Sequence, residues 1–552
     1  MRKISAMLLG VMITVTAVTL KANPPGNGGG GFHFVPQSLV LTKSVYEGTA
    51  DTVTAGETLP LGCAGGANGS TVVSVPLTAG GTTPVTVPCG IASDNGEFPN
   101  NNDSHNVWNN AASDSSFGIT SPIFLDNITT DGEFLGSLPV PTDLIVTSFS
   151  SKSELALNLS VDGQSLTFMG YQGGVGCGGN TASPTAANLI DVSASNTPGV
   201  CDITNPVISS DVNNPTVPTA YYRAVAEVDA NGNISVTDGN AYSGDNGRAA
   251  IKGGNGLYYM VGNDNSGNLS KKQIPITFDG VNLVNSTGAE LLTPGLSPPL
   301  PPDITMIGRL QFGSDKPGKD TNFRGVTIFD NTLYVSKGSG GNGINTVYQV
   351  GSAGTLPTGD AAALATVPIS ILPGFPHTAA STSTSFPFGM FFANATTIYV
   401  CDEGDGTFVP GQIINGQTNV ADAQTLATAG VQKWVLQNGT WVLEYVLQNG
   451  LDIGIPYGVA NYPASLDPAT GGCRNMTGRV NGDGTVMIWA VTSTISTNGD
   501  QGADPNKLVR VTDLLSATTL PGSGQGWGTF QTIRAAQAGE VFRGIAFAPQ
   551  NH

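Results

Sequence analysis

The residues of this chain best placed for chemistry share one position in a repeated phrase. Ser153-Glu154-Leu155-Ala156-Leu157, Gly247-Arg248-Ala249-Ala250-Ile251, Phe323-Arg324-Gly325-Val326-Thr327, Pro387-Phe388-Gly389-Met390-Phe391, Pro456-Tyr457-Gly458-Val459-Ala460 and Phe542-Arg543-Gly544-Ile545-Ala546 align without gaps. Their second residues are Glu154, Arg248, Arg324, Phe388, Tyr457 and Arg543. Arginine is scarce in this chain, so three at equivalent positions need a reason. If the phrases line a closed ring, Glu154 has Arg248 on one side and Arg543 on the other, a charge-paired cluster at one mouth of an axial channel. Arg324 then lies beside Phe388, where it either stacks on the ring or meets an anionic or carbohydrate ligand. All six, Tyr457 included, are candidate ligand-binding residues. The competing reading is structural, because inner strands alternate their side chains between neighbouring sheets and would bury these residues short of the channel.

A second candidate is acidic. Asp402-Glu403-Gly404-Asp405-Gly406 follows a strand-like run, and oxygen-rich turns of this kind can hold the hard cation Ca²⁺, so Asp402, Glu403 and Asp405 are candidate metal ligands. Asp229, Asn231 and Asn233, and Asn481 with Asp483, look similar. Tight hairpins ask for the same residues with no ion present, since Asn-Gly and Asp-Gly supply positive φ. Catalytic signatures are missing: there is no HExxH, GxSxG or phosphate-loop pattern. The four histidines, His33, His105, His377 and His552, are far apart in linker or loop contexts. Trp434 and Trp441 flank a hairpin and Trp108 lies in an Asn-rich loop. Such rings stack on sugars when exposed, although packing between strands is the default for the first pair.

The elements that must position these residues are strands. Each phrase opens a set of apolar, β-rich runs separated by turn signals such as Asp162-Gly163, Asn231-Gly232 and Asn438-Gly439. Phrases recur every roughly 65 to 95 residues, the mark of an array whose units bury their faces against one another. Four strands per unit joined by tight hairpins is the design of a β-propeller blade. The third residue of the phrase is mostly small, as expected where innermost strands crowd around an axis. The sixth phrase, from Phe542, supplies one strand and then no partners in sequence. The runs at 38–45, 122–129 and 133–140 are three strands without an inner one. Joining them gives a composite blade and a count of six four-stranded blades. Seven is the alternative, if 52–61, 70–78 and 82–89 form an extra small sheet rather than part of a long insertion at about 46–121.

Phe542-Arg543-Gly544-Ile545-Ala546-Phe547-Ala548-Pro549, Pro122-Ile123-Phe124-Leu125-Asp126, and Ser153 to Leu157 followed by Asp162-Gly163 resemble segments of a group of large secreted bacterial β-propeller proteins. The resemblance covers most of the chain from about residue 38. It implies the fold and the export, and it brings no activity with it.

Composition agrees with both. Arg2 and Lys3 precede an apolar stretch from Ala6 to Leu20, broken by Lys21-Ala22-Asn23-Pro24-Pro25, the layout of a signal peptide over 1–22. A flexible Gly/Pro linker at 23–37 separates it from a single propeller domain at 38–552. About 15 apolar residues are short for a membrane span, so a soluble secreted protein, extracellular or periplasmic, is expected, with no membrane insertion after cleavage. Six cysteines, none in a CxxC pattern, suit an oxidising compartment. Cys63 with Cys89 and Cys177 with Cys201 enclose loop-like segments, and Cys401 with Cys473 would pair by elimination among 15 connectivities. Charged residues are only 11% of the chain against about 25% in an ordinary domain, which excludes long solvated helices. The net charge of −18 repels nucleic acid and anionic membrane. The reading is an all-β propeller that binds or scaffolds an extracellular ligand, carbohydrate or protein. The alternative is a hydrolase or lyase on an extracellular polymer with its site at the channel mouth, marked by two carboxylates, or a carboxylate with His or Tyr, within reach of one bond.

Overall fold

A computed structural model describes residues 31–45, 120–142, 144–148, 153–172, 223–239, 247–262, 322–338, 343–364, 366–406, 427–462, 464, 467–496, 504–522 and 526–551. It also describes the strand backbone of Thr58–Leu59, Ser70–Pro76, Thr82–Pro88, Gly90–Ile91, Ala289–Leu292, Thr305–Met306, Arg309–Leu310, Phe408–Ile414 and Gln417–Ala421. The signal segment and the start of the linker lie outside these residues.

The chain is all-β and propeller-like, with one four-residue helix, Ala361–Leu364, among the described residues. Five sheets are built on four antiparallel strands. One runs Gly247–Lys252, Tyr258–Gly262, Ala289–Leu292, Thr305–Met306. The next runs Gly325–Phe329, Thr332–Lys337, Thr346–Val350, Pro368–Ile371, with Arg309–Leu310 added in parallel at its edge. Pro387–Asn394, Thr397–Asp402, Gly430–Gln437 and Thr440–Leu447 make the third, and Ala469–Val480, Thr485–Ile495, Lys507–Leu514 and Gln531–Ala535 the fourth. The fifth joins the two ends of the chain. Glu540–Phe547 pairs antiparallel with Leu39–Val45, placing Thr42 opposite Gly544, and Leu39–Val45 pairs in turn with Ile123–Ile128 and then Phe134–Pro139.

One further sheet departs from the pattern. Ile234–Gly239, Arg223–Asp229, Ser165–Gln172, Ile145–Ser148 and Thr120–Ser121 follow one another, and only the two residues after the phrase at 153–157, Asn158–Leu159, form a strand beside Ser165–Gln172. Leu155, at φ 62°, breaks the extended run. Within the expected insertion, Ser70–Pro76 pairs with Thr82–Pro88 and Thr58–Leu59 with Gly90–Ile91, as separate two-stranded sheets.

The turns follow from the sequence signals. Asn438 and Gly439 take φ of 51° and 81° and join two strands directly, the backbone a two-residue hairpin demands. Side chains then fill the spaces between sheets. Phe168, Leu166, Ala224, Val40 and Ala546 share one core, Val326, Val335, Ala249 and Tyr259 another, and Tyr399, Val431, Ile488 and Val509 a third. Packing starts earlier than the linker boundary expected at residue 37. Phe34 is buried, and its N–H donates to Ala230 O at 3.0 Å.

Innermost strands approach one another closely. A Cβ at Gly544 would run into the carbonyl of Leu155, and one at Gly389 would come within 2.7 Å of the carbonyl of Arg474, so both positions exclude a side chain. Ala156 bridges Ala249, and Ile545 N–H donates to Asn475 Oδ1 at 2.6 Å. The fifth phrase is the exception. Pro456 to Ala460 lies in the connection before its sheet and is not an inner strand. Ala469–Val480 is, so Arg474 occupies the position expected for Tyr457.

Candidate functional site

In or immediately before the inner strands lie Arg248, Arg324, Arg474 and Arg543, each between 5% and 7% exposed. Residues of this type are rarely buried without partners. Arg248 Nη1 and Arg324 Nη1 both donate to Ser153 Oγ. Arg324 also lies over the ring of Phe388, 5.5 Å from its centroid, the neighbour the repeat register gives it. Arg324 and Arg248 reach the same hydroxyl. Arg543 Nε lies 3.4 Å from Ser44 Oγ on the N-terminal strand of the composite sheet.

Glu154 is 1% exposed. Its Oε2 accepts from Thr147 Oγ1 at 2.9 Å and its Oε1 from Tyr171 OH at 2.5 Å. Burial, reinforced by the neighbouring Glu154 charge, pushes the Tyr171 phenol well above its ordinary range. Arg223, fully buried, stacks its guanidinium 5.0 Å from the Tyr171 ring centroid. A carboxylate, a phenol and a guanidinium thus pack together in the interior beside Arg248.

The acidic turn packs on one of these arginines. Arg474 Nε donates to Glu403 Oε2 at 2.8 Å, with both side chains at 7% exposure or less. Asp402 is wholly buried and accepts from Phe386 N–H at 2.8 Å, Gly404 N–H at 3.0 Å and Gln432 Nε2 at 2.8 Å. Burial raises its carboxyl to about 7 against the pull of these donors, with the Glu403 charge adding to the rise. Asp402 therefore caps the strand ends that carry Phe388 and Glu403, while Glu403 anchors Arg474. Cys401 and Cys473 form a disulfide with Cα atoms 5.2 Å apart, directly before these two pairs in sequence. Cys63, Cys89, Cys177 and Cys201 lie outside the described residues.

Other sequence candidates resolve into packing. Tyr457 is carried by the connecting loop, donates to Pro505 O at 2.8 Å and lies under Lys507, whose Nζ is 3.6 Å from the ring centroid. Trp434 and Trp441 are buried against Phe375, the first stacked at 4.1 Å. Asp229 Oδ1 accepts from the N–H groups of Asn231 and Asn233, and Asp483 Oδ1 from that of Thr485, so both close hairpin turns. His33 pairs with Asn231 on an exposed edge, and Trp108, His105 and His552 are outside the described residues.

Ser153, Tyr171, Arg223 and Arg474 are the site residues that sequence reasoning misses. Arg474 carried a usable signal: Gly471-Gly472 gives the small residues expected in a crowded inner strand, and Cys473-Arg474 then repeats the small-then-arginine order of Gly247-Arg248.

No family profile and no curated protein matches the chain. Among solved structures, a glucose dehydrogenase is similar at 11% identity, covering 70% of this chain and 91% of its own, with a TM-score of 0.32. The parainfluenza virus 5 hemagglutinin-neuraminidase ectodomain is similar at 8% identity over 92% of this chain and 89% of its own, with a TM-score of 0.29. Among the described residues no helix is long and apolar enough to cross a membrane.

Proposed function

We propose that the chain is an exported, closed six-bladed propeller that acts as a binding protein, with its ligand held at the arginine-rich end of the axis. One observation carries this reading. Of ten arginines in an acidic sequence, four lie buried in or immediately before an inner strand, which selection for packing alone does not require. A concentration of guanidiniums inside a chain of net charge −18 focuses a local positive field that an anionic group can use. Closure is supported by the run of inner-strand contacts from Leu155 and Ala156 through Ala249, Gly325, Phe388 and Gly389, Arg474 and Asn475 and back through Gly544. Export is supported by the leader and by the Cys401–Cys473 bond.

The experiment is a binding screen of the mature chain from Asn23 against arrayed neutral and acidic glycans and small organic acids. It is repeated with Arg324→Gln and Arg474→Gln. Ligands retained by the wild type should be anionic and should be lost in both variants. Retention of neutral ligands alone, or retention indifferent to both substitutions, would overturn the assignment.

The hydrolase or lyase reading is favoured by one contact, the 2.5 Å hydrogen bond from Tyr171 to Glu154 beside the guanidiniums. A phenol next to a carboxylate is a workable nucleophile and base. Burial opposes it, because the raised Tyr171 holds its proton at neutral pH.

A further inference from the structure

An amine and a carboxylate of this chain are placed to react with each other. Lys433, on Gly430–Gln437 of the third sheet, and Asp513, on Lys507–Leu514 of the fourth, are both fully buried, with Lys433 Nζ 3.3 Å from Asp513 Oδ2. Taking two charges out of water carries a desolvation cost that their attraction offsets only in part. An amide between them carries no charge and still has partners. Lys433 Nζ donates to Leu514 O at 2.6 Å and Ala517 O at 2.8 Å, and Asp513 Oδ2 accepts from Tyr399 OH at 2.6 Å.

The surroundings supply what a condensation needs. Only a neutral amine is a nucleophile, and burial lowers the Lys433 ammonium below its ordinary range. Tyr445 OH accepts from Lys433 Nζ at 3.0 Å and donates to Asp513 Oδ1 at 2.9 Å, so this phenol bridges the two groups as a proton relay. Tyr399 OH is the donor on the other oxygen, where negative charge develops during attack. Burial raises both phenols, so both hold their protons at neutral pH. Tyr399 and Tyr445 belong to the apolar core that includes Val431, Ile488 and Val511, which keeps water from competing for the carboxyl carbon. Holding the two groups together replaces a bimolecular encounter in water.

We propose that Lys433 and Asp513 condense into an amide, a self-catalysed modification that joins the third and fourth sheets covalently. The ammonium first gives one proton through Tyr445 to Asp513 Oδ1. The Nζ lone pair then attacks Cγ, and the electron pair of the Cγ=Oδ2 bond moves onto Oδ2, where Tyr399 holds it. A second nitrogen proton passes through Tyr445 to the Oδ1 hydroxyl, the Cγ–Oδ1 bond breaks, and water leaves as the carbonyl re-forms. One ammonium and one carboxylate give one amide and one water, with no oxidant or co-reactant. The Cys401–Cys473 bond already links these two sheets, and the amide adds a second tie.

The test is the mass of the chain from Asn23, folded and incubated at neutral pH, then unfolded and reduced. It should fall short of the sequence mass by one water, and proteolysis should release a branched peptide carrying Lys433 and Asp513. Lys433→Arg should show its full mass. Tyr445→Phe keeps both reacting groups and should form the bond about a hundredfold or more slowly, as expected when a proton relay is lost. Full sequence mass in the wild type, with Lys433 and Asp513 recovered only in linear peptides, would overturn the proposal. That outcome needs no variant, so a substitution that fails to fold leaves the test decisive. A water loss mapped to other residues would overturn it equally, and linking at the wild-type rate in Tyr445→Phe would overturn the relay. None of these outcomes depends on the ligand reading above.

Discussion

Arg474 Nε donates to Glu403 Oε2 across 2.8 Å, and Cys473, just before Arg474, is bonded to Cys401, two residues before Glu403, so a charged and a covalent link fasten the same two segments. Removing one partner of a buried pair leaves the other charged and desolvated, whereas replacing both with apolar residues is often near neutral. Glu403→Leu should therefore destabilise the protein by about 3 kcal/mol or more, and Glu403→Leu with Arg474→Met by much less. Urea denaturation of the two variants measures the difference. Equal losses would show that the pair is not coupled.

The disulfide itself closes a stretch of 72 residues between neighbouring sheets. On a chain-entropy account, cross-linking a loop of that length is worth roughly 4 kcal/mol, and the double variant Cys401→Ala, Cys473→Ala should lose an amount of that order. Non-reducing peptide mapping should recover the Cys401–Cys473 peptide as one species, and the same map examines Cys63 with Cys89 and Cys177 with Cys201. Free thiols at 401 and 473 would contradict the arrangement.

Much of the architecture was legible because its demands are local. Asn438-Gly439 must take positive φ, Gly389 and Gly544 must leave room for a neighbouring backbone, and the orphan strand at Phe542 had strands at 38–45 to join. Arg324 beside Phe388 was legible for the same reason, since register alone sets that neighbour. Arg474 was missed because Pro456-Tyr457-Gly458 imitates the phrase in letters, while an inner strand is defined by the backbone it touches. Ser153 carries no signal in its own sequence. It matters only once Arg248 and Arg324, 95 and 171 residues away, are folded onto it.

The same blindness hid a buried ion pair between two sheets. Lys433 Nζ lies 3.3 Å from Asp513 Oδ2 with both side chains fully buried. The ammonium also donates to Tyr445 OH, Leu514 O and Ala517 O, and the carboxylate accepts from Tyr399 OH at 2.6 Å and Tyr445 OH at 2.9 Å. Burial lowers the Lys433 ammonium below its ordinary range and raises both phenols. Lys433→Met should cost about 3 to 5 kcal/mol, because the Asp513 charge keeps its burial and loses its counter-ion. Lys433→Met with Asp513→Leu should recover part of that loss. Calorimetric melting of both variants is the measurement, and a Lys433→Met protein as stable as wild type would show that the pair is dispensable.

Asp402 makes stability depend on pH in a direction opposite to that of an ordinary surface carboxylate. Its folded carboxyl titrates at about 7, above the value of 3.8 it has when unfolded. Between those limits the folded chain holds a proton that the unfolded chain has released, so stability falls as pH rises. The contribution is fully present below 3.8, is lost as pH climbs through 7, and is constant beyond it. Asp402→Asn cannot titrate and should lack this component. Subtracting the variant's unfolding free energy from that of the wild type at each pH should give a difference that declines from pH 4 to pH 7, by on the order of 4 kcal/mol at most, and is flat above. A difference that rises with pH across that window would mean that the backbone donors on Asp402, not its burial, govern its ionisation.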